Sequence, residues 1–174
     1  VDAARIGAGD RVLIHRAAGG VGHLAVQIAK ARGAHVTALA GAAKHDFVRG
    51  LGADEVIDYR TTDFTDVVRD ADVVFDSTAQ GERSLGALRP GGTLVSILEH
   101  GDRELAARVE AAGRRFAGIS VEPDYASLEA IAELVDAGRI RPHVDATFPL
   151  TEAAKAHELV AAGTARGKIV LTVA

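Results

Sequence analysis

Seven residues from Arg16 to Gly22 (RAAGGVG) stand between an apolar run, Arg11–His15, and a run with helical spacing. Ala17, Gly19 and Gly22 occupy the places that a G-x-G-x-x-G turn gives to its three glycines. Gly19 would admit a ligand to the main chain, and Gly22 would let the helix pack closely on the strand. The unpaired N–H groups of the first helical turn would then converge, with the positive end of the helix dipole behind them. That is an anion site, and the pyrophosphate of a dinucleotide is its usual occupant. Taken singly, a glycine-rich turn is a weak signal. Placed after a strand and at the start of a helix, in the first unit of an alternating chain, it gains specificity.

The end of the second strand bears on which dinucleotide. An NAD site usually carries Asp or Glu there, on the ribose 2′-hydroxyl, about 20 residues past the turn. The corresponding stretch here is Leu39–Lys44 (LAGAAK), which holds no acid. Gly41 leaves room, and Lys44 brings a positive charge that suits a 2′-phosphate. NADP, as NADPH, is therefore expected over NAD. A solvated lysine at a helix start would look the same in sequence.

Other chemistries find no residues. There is no cysteine, so disulfides, thiolate metal sites and a cysteine nucleophile are excluded. The seven histidines are His15, His23, His35, His45, His100, His143 and His157. No two have H-x-x-x-H spacing, so no metal is expected, and exposed or capping roles are. A G-x-S-x-G elbow and a phosphate-binding G-x-x-x-x-G-K-[ST] loop are both missing. Asp58, Asp72 and Asp76 begin or end strands and read as structural. Hydride transfer needs no protein nucleophile, since the cofactor carries the chemistry.

The elements that must position the turn alternate. Strands are expected at Arg11–His15, His35–Ala40, Glu55–Tyr59, Asp72–Ser77, Thr93–Leu98 and Arg115–Val121. Helices between them are expected to bury Val21, Leu24, Ala25 and Ile28, then Phe47, Val48 and Leu51, followed by shorter ones at 63–68, 82–88 and 104–112. The strands are apolar almost throughout, as strands covered on both faces are. The prediction is an α/β fold: a doubly wound, Rossmann-type parallel sheet of six strands with helices on both faces and right-handed crossovers. A C-terminal extension follows. It holds an amphipathic helix with Leu128, Ile131, Leu134 and Val135 inward and Asp124 as its N-cap, a helix at 151–162, and a strand at Lys168–Val173.

Composition sets the outer bounds. The chain has 174 residues, 48% of them apolar, and a net charge of −4. That supports one ordinary core and argues against a nucleic-acid surface, which needs clustered positive charge. No run is long enough for a membrane span. A cysteine-free chain without a signal peptide fits the reducing cytoplasm. The sequence starts at Val1 and lacks methionine, as a fragment or a processed chain would.

The stretches AGDRVLIHRAAGGVGHLAVQIAKARGA, FVRGLGADEVIDY, LRPGGTLVSI and AHELVAAGTARGKIVLTV together resemble the medium-chain dehydrogenase/reductase superfamily. They look most like its zinc-independent, zeta-crystallin-like quinone oxidoreductase branch. The resemblance implies NADPH-dependent reduction of a quinone or an α,β-unsaturated carbonyl compound. It implies pyrophosphate contacts at Ala18, Gly19, Gly20 and Val21, and a 2′-phosphate site at Gly41, Lys44 and Tyr59. It also places the nicotinamide beside Ser77, Thr78 and Ile97. Tyr59 could instead cover a helix edge, and Ser77 and Thr78 could cap the next helix. Arg16 departs from the branch, which has Gly or Ala there, and STAQG (Ser77–Gly81) departs from its usual glycine pair. The resemblance further implies a homodimer through the edge strand, Phe116–Val121.

Members of this family also carry an N-terminal GroES-like catalytic domain, and their substrate pocket lies between the two domains. Residues 1–141 are expected to form the dinucleotide-binding domain, and 142–174 the segment that returns to that first domain. Cofactor binding is expected to survive in this chain better than turnover, and no catalytic residue is assigned. Two other classes stay open: a non-catalytic NADP(H)-binding module that acts as a sensor or scaffold, and a structural domain that binds nothing.

Overall fold

The structure, a computed structural model, describes residues 3–122 and 124–173; Val1, Asp2, Pro123 and Ala174 lie outside the described residues. Strands and helices alternate from the start. They are β1 (Arg11–Ile14), α1 (Gly22–Ala31), β2 (His35–Leu39), α2 (His45–Gly50), β3 (Glu55–Ile57) and α3 (Phe64–Val67). Then come β4 (Ala71–Asp76), α4 (Gly81–Ser84), β5 (Leu88–Ser96), α5 (Arg103–Ala111) and β6 (Arg115–Gly118). The six strands form one sheet in the order β3-β2-β1-β4-β5-β6, and every neighbouring pair is parallel. This is the doubly wound α/β architecture expected from the sequence. The strand order reverses between β1 and β4, which opens a crevice at the carboxyl ends of those strands.

The near-continuous apolar runs arise because both faces of the sheet are covered. Val12, Ile14, Val36, Ala38, Val73 and Val95 face one way and pack with Val26 and Ala29 of α1 and Val48 of α2. Leu13, Leu39, Val74 and Leu94 face the other way, onto Phe64 of α3 and Leu105 and Val109 of α5. Successive residues of one strand thus feed two cores.

Most element ends fall within a residue or two of their expected places. The fifth strand was expected to begin at Thr93 and instead includes Leu88. Leu88 pairs with Ala71, the RPGG segment interrupts the register, and pairing resumes at Thr93 opposite Val73. The sixth strand stops at Gly118 rather than Val121. A side chain at Gly118 would collide with the carbonyl group of His100, so the backbones of two segments meet there.

The inward face of α1 is not the one expected. Gly22, Val26 and Ala29 are buried, with His23 and Gln27 beside them, whereas Val21 is 49% exposed and Leu24, Ala25 and Ile28 are half-buried. Two polar residues can sit inward because the tail satisfies them. The Gln27 amide donates to the carbonyl of Arg141 (3.1 Å) and accepts from its N–H (2.8 Å).

That tail comprises α6 (Tyr125–Asp136), β7 (Val144–Pro149), α7 (Ala153–Ala161) and β8 (Lys168–Thr172). Asp124 caps α6 as expected, accepting from the N–H of Ala126 at 3.1 Å. The expected burial of Leu128, Ile131, Leu134 and Val135 does not occur: Leu128, Ile131 and Val135 are exposed, and Leu134 is only half-buried. No residue of α6 is buried, and Leu128 is 63% exposed. β7 was not expected at all. It pairs in parallel with β8 as a separate two-stranded sheet.

Candidate cofactor site

The glycine-rich turn closes on itself before α1 begins. Arg16 takes a left-handed backbone (φ +50°), and its carbonyl accepts the N–H of Gly19 at 2.9 Å. Gly22 is required here. A Cβ on it would be driven into the Arg16 carbonyl oxygen and would stand 2.8 Å from Cα of Ala17. At Gly19 a Cβ would lie 3.2 Å from both the carbonyl oxygen and Cγ of Arg16, tighter than ordinary contact. α1 starts without any side-chain cap. Among the described residues, no backbone acceptor takes the N–H groups of Ala18, Gly20, Val21 or Gly22. Donors of this kind want an anion.

Arg16, Ala18, Gly19 and Gly20 of this turn border a cleft of about 1070 Å³, large enough for a dinucleotide. The carboxyl ends of β1, β2 and β4 form its floor, and the segment from Val160 to Ile169 forms its far wall. Of the residues singled out in the sequence, Ala18, Gly19, Gly20, Gly41, Lys44, Tyr59 and Thr78 line it together. Val21, Ser77 and Ile97 are not among its lining residues. Ser77 is buried, with its hydroxyl 3.3 Å from the carbonyl of His15. Neither Ser77 nor Thr78 caps α4, whose N-cap is Gln80.

Beneath the nicotinamide end of the expected site lies a buried polar knot. Asp76 is fully buried. One carboxylate oxygen accepts from the N–H (2.7 Å) and hydroxyl (2.8 Å) of Thr78, and the other from the N–H of Gln80 at 2.6 Å. Nδ1 of His15 lies 3.3 Å from the carboxylate and 3.1 Å from the Thr78 hydroxyl. Burial by itself would raise the Asp76 pKa. The His15 contact and the Thr78 bonds outweigh it and hold the carboxyl below its ordinary value. The knot pins a loop in which Ala79 is forced to φ +57°. His15 and His23 are therefore core residues, not the exposed or capping histidines expected. Nε2 of His15 is buried without a partner among the described residues, and the residue lines the cleft.

The sequence reading missed how far the tail contributes. The N–H of Gly167 donates to the carbonyl of Ala18 at 2.9 Å, inside the glycine-rich turn. His23 ties both segments. Its Nδ1 donates to the carbonyl of Gly19 (2.9 Å), and its Nε2 accepts the N–H of His143 (3.2 Å). Lys44 donates to the carbonyls of Gly163 (2.8 Å) and Ala165 (2.9 Å). Arg166 and Lys168 also line the cleft, with Arg16 and Arg60. Asp145 is the only acid lining it among the described residues, and it pairs with Arg166 at 3.2 Å. An acid-poor cleft rimmed by cations fits a polyphosphate ligand such as a nicotinamide dinucleotide. No group of three or more His, Cys, Asp or Glu side chains that could hold a metal ion occurs among the described residues. Nor is any helix there long and apolar enough to cross a membrane.

Comparison with known proteins agrees with this geometry. The zinc-binding dehydrogenase family model matches residues 51–171. The mouse mitochondrial NAD(P)H oxidoreductase RTN4IP1 is 35% identical over 95% of this chain and 48% of its own length. The solved quinone oxidoreductase of Coxiella burnetii superposes with a TM-score of 0.87 at 36% identity, covering 99% of this chain and 56% of that one. The Escherichia coli quinone oxidoreductase, solved in complex with NADPH, gives a TM-score of 0.81 at 27% identity, covering 97% of this chain and 59% of that one. The chain spans about half the length of the curated relatives it matches.

Proposed function

The chain belongs to the medium-chain dehydrogenase/reductase superfamily, with quinone oxidoreductases among its relatives, and from that premise we propose that it is the NADP(H)-binding half of an oxidoreductase. When bound, the cofactor supplies a hydride for a quinone or a conjugated carbonyl compound. The chain's own residues bind and orient it. The observation that carries the reading is one continuous cleft that joins an uncapped helix start to an acid-free second strand end. Ala18, Gly19 and Gly20 face the pyrophosphate. The neighbourhood of Gly41 and Tyr59 faces the adenosine end. Thr78, fixed by Asp76, faces the nicotinamide side.

The wall that would complete a substrate pocket is the family's N-terminal domain. The unburied face of α6 and the exposed Val144, Val170 and Leu171 of β7 and β8 mark apolar surface available to it. A homodimer along the open edge of β6 is part of the proposal, as is the cytoplasmic setting that a cysteine-free chain suits. The mouse relative is named as mitochondrial.

The test is NADPH oxidation with a small quinone, by the chain alone and by the chain joined to a relative's N-terminal domain. Turnover by the joined protein, with little by the chain alone, is expected. No turnover by a folded, NADPH-binding joined protein would instead favour a non-catalytic NADP(H)-binding module. Efficient quinone reduction by these 174 residues alone would contradict the division of labour proposed here.

A further inference from the structure

The peptide group between Gly19 and Gly20 is gripped by one residue of α1. The Gly19 carbonyl accepts both the main-chain N–H of His23 at 3.1 Å and its ring Nδ1–H at 2.9 Å. A trans peptide is planar, so its N–H points opposite to its C=O. Pinning the Gly19 carbonyl toward α1 therefore turns the Gly20 N–H away from the helix. Gly20 lines the cleft, and no backbone acceptor among the described residues takes its N–H. The orientation of a donor that faces the cleft is thus set by a side chain that does not line it.

The other ring nitrogen reaches the tail. Nε2 accepts the N–H of His143 at 3.2 Å, the His143 carbonyl accepts the N–H of Lys168 at 2.8 Å, and the Lys168 ammonium stands 3.5 Å from where a Cβ on Gly20 would be. His23 thus closes a circuit from the turn through residues 143 and 168 and back to the turn. A carbonyl can only accept and an N–H can only donate, so these two partners require the neutral ring with its proton on Nδ1. His23 is fully buried. A proton added at Nε2 would set one donor against another where no water can intervene. The titratable groups facing the ring are Lys168 and His143. The acid beside them, Asp145, lies 3.6 Å from the His143 ring and pairs with Arg166 at 3.2 Å.

We propose that His23 is a positioning residue for the cofactor: as the neutral ring it holds the Gly19–Gly20 peptide with its N–H turned into the cleft and couples that peptide to the 143–168 segment. His23 touches no ligand itself. The assignment rests on the dinucleotide reading of the cleft given above. Cofactor affinity then falls as His23 takes up a proton, because the circuit opens. Simple attraction between a pyrophosphate and a cationic ring would act in the opposite direction, which makes the sign of the pH dependence decisive.

The experiment uses the full 174-residue chain as wild type, His23→Gln and His23→Asn, with folding checked by circular dichroism at each pH. Each is titrated with ADP-ribose, which carries the pyrophosphate, and with adenosine, which does not. At pH 7.5, His23→Gln should bind ADP-ribose about three- to tenfold more weakly than wild type and adenosine within about twofold. His23→Asn, whose amide still reaches the Gly19 carbonyl, should recover part of the loss. The ratio of wild-type to His23→Gln affinity at each pH cancels the ligand's own titration. Burial holds the His23 pKa below 6.5, so that ratio should be constant above this pH and shrink toward one by pH 5. A nitrogen-15 spectrum of the wild-type ring at pH 7.5 should show the proton on Nδ1 and a bare Nε2. A ratio that stays constant or grows in acid, equal losses of ADP-ribose and adenosine, or a ring protonated on Nε2 at pH 7.5 would overturn the assignment. Folded wild type that binds neither ADP-ribose nor NADPH would instead overturn the dinucleotide reading on which it rests.

Discussion

At the scale of single residues, three positions govern whether the cleft exists. Gly22 separates helix from turn by the absence of one carbon. Gly22→Ala should cost about 2–3 kcal/mol in urea unfolding, the range of an overpacked core, because the obstruction is backbone that cannot step aside. A loss under about 0.5 kcal/mol would contradict the packing described. Asp76 is satisfied on both oxygens. Asp76→Asn would turn an amide donor toward one of the N–H groups that the carboxylate now accepts. It should destabilise by about 2–3 kcal/mol and weaken NADPH binding through the loop it pins.

His23 carries a pH dependence. Burial holds its pKa below the ordinary value of 6.5, with Lys168 and His143 adding to the lowering and the Gly19 bond opposing it. The folded chain therefore keeps the neutral ring, while the unfolded chain takes up a proton first as the pH falls. The contribution is fully present above about pH 6.5 and is lost as the pH falls toward the folded value. The gap in urea midpoint between wild type and His23→Gln should narrow from pH 7.5 to pH 5. A constant gap would count against the neutral, doubly bonded ring. The glycines of this neighbourhood were legible in the sequence, because an anion turn demands them. His23 was not, because one of its partners is 120 residues away and both are backbone atoms without a side-chain signature.

At the scale of elements, the six central strands announced themselves because burial on both faces leaves few polar residues in them. β7 did not. Its sequence, VDATFP, carries an aspartate and ends in proline, and its only partner strand among the described residues is β8. The amphipathic pattern of α6 was real, but a pattern shows which face is apolar and not what covers it. Leu128 thus reads as core in the sequence and is solvent-facing in the structure. Leu128→Ala should cost under about 0.5 kcal/mol in this chain, far below the 2–5 kcal/mol of a core leucine. A core-sized loss would mean that α6 packs on something after all. The same blindness hid the far wall of the cleft. Nothing local in GTARGK shows that Gly167 and Lys168 cross back to face Gly20.

At the scale of the whole molecule, a six-stranded parallel sheet carries the cleft, and the segment from Val160 to Ile169 walls its far side. The open edge of β6 should pair with its twin. Sedimentation velocity at tens of micromolar should show a dimer, and Phe116→Lys on that edge should shift it toward monomer. A monomer at every concentration would remove this part of the proposal. The central claim is that the cleft between the β1–α1 turn and the 160–169 segment holds NADPH in preference to NADH. Calorimetric titration of the purified chain with each cofactor, at matched ionic strength, tests it most directly. NADPH binding in the micromolar range, with NADH at least about tenfold weaker, is the predicted result. Equal affinity for the two, or no heat and no thermal stabilisation with either, would contradict it.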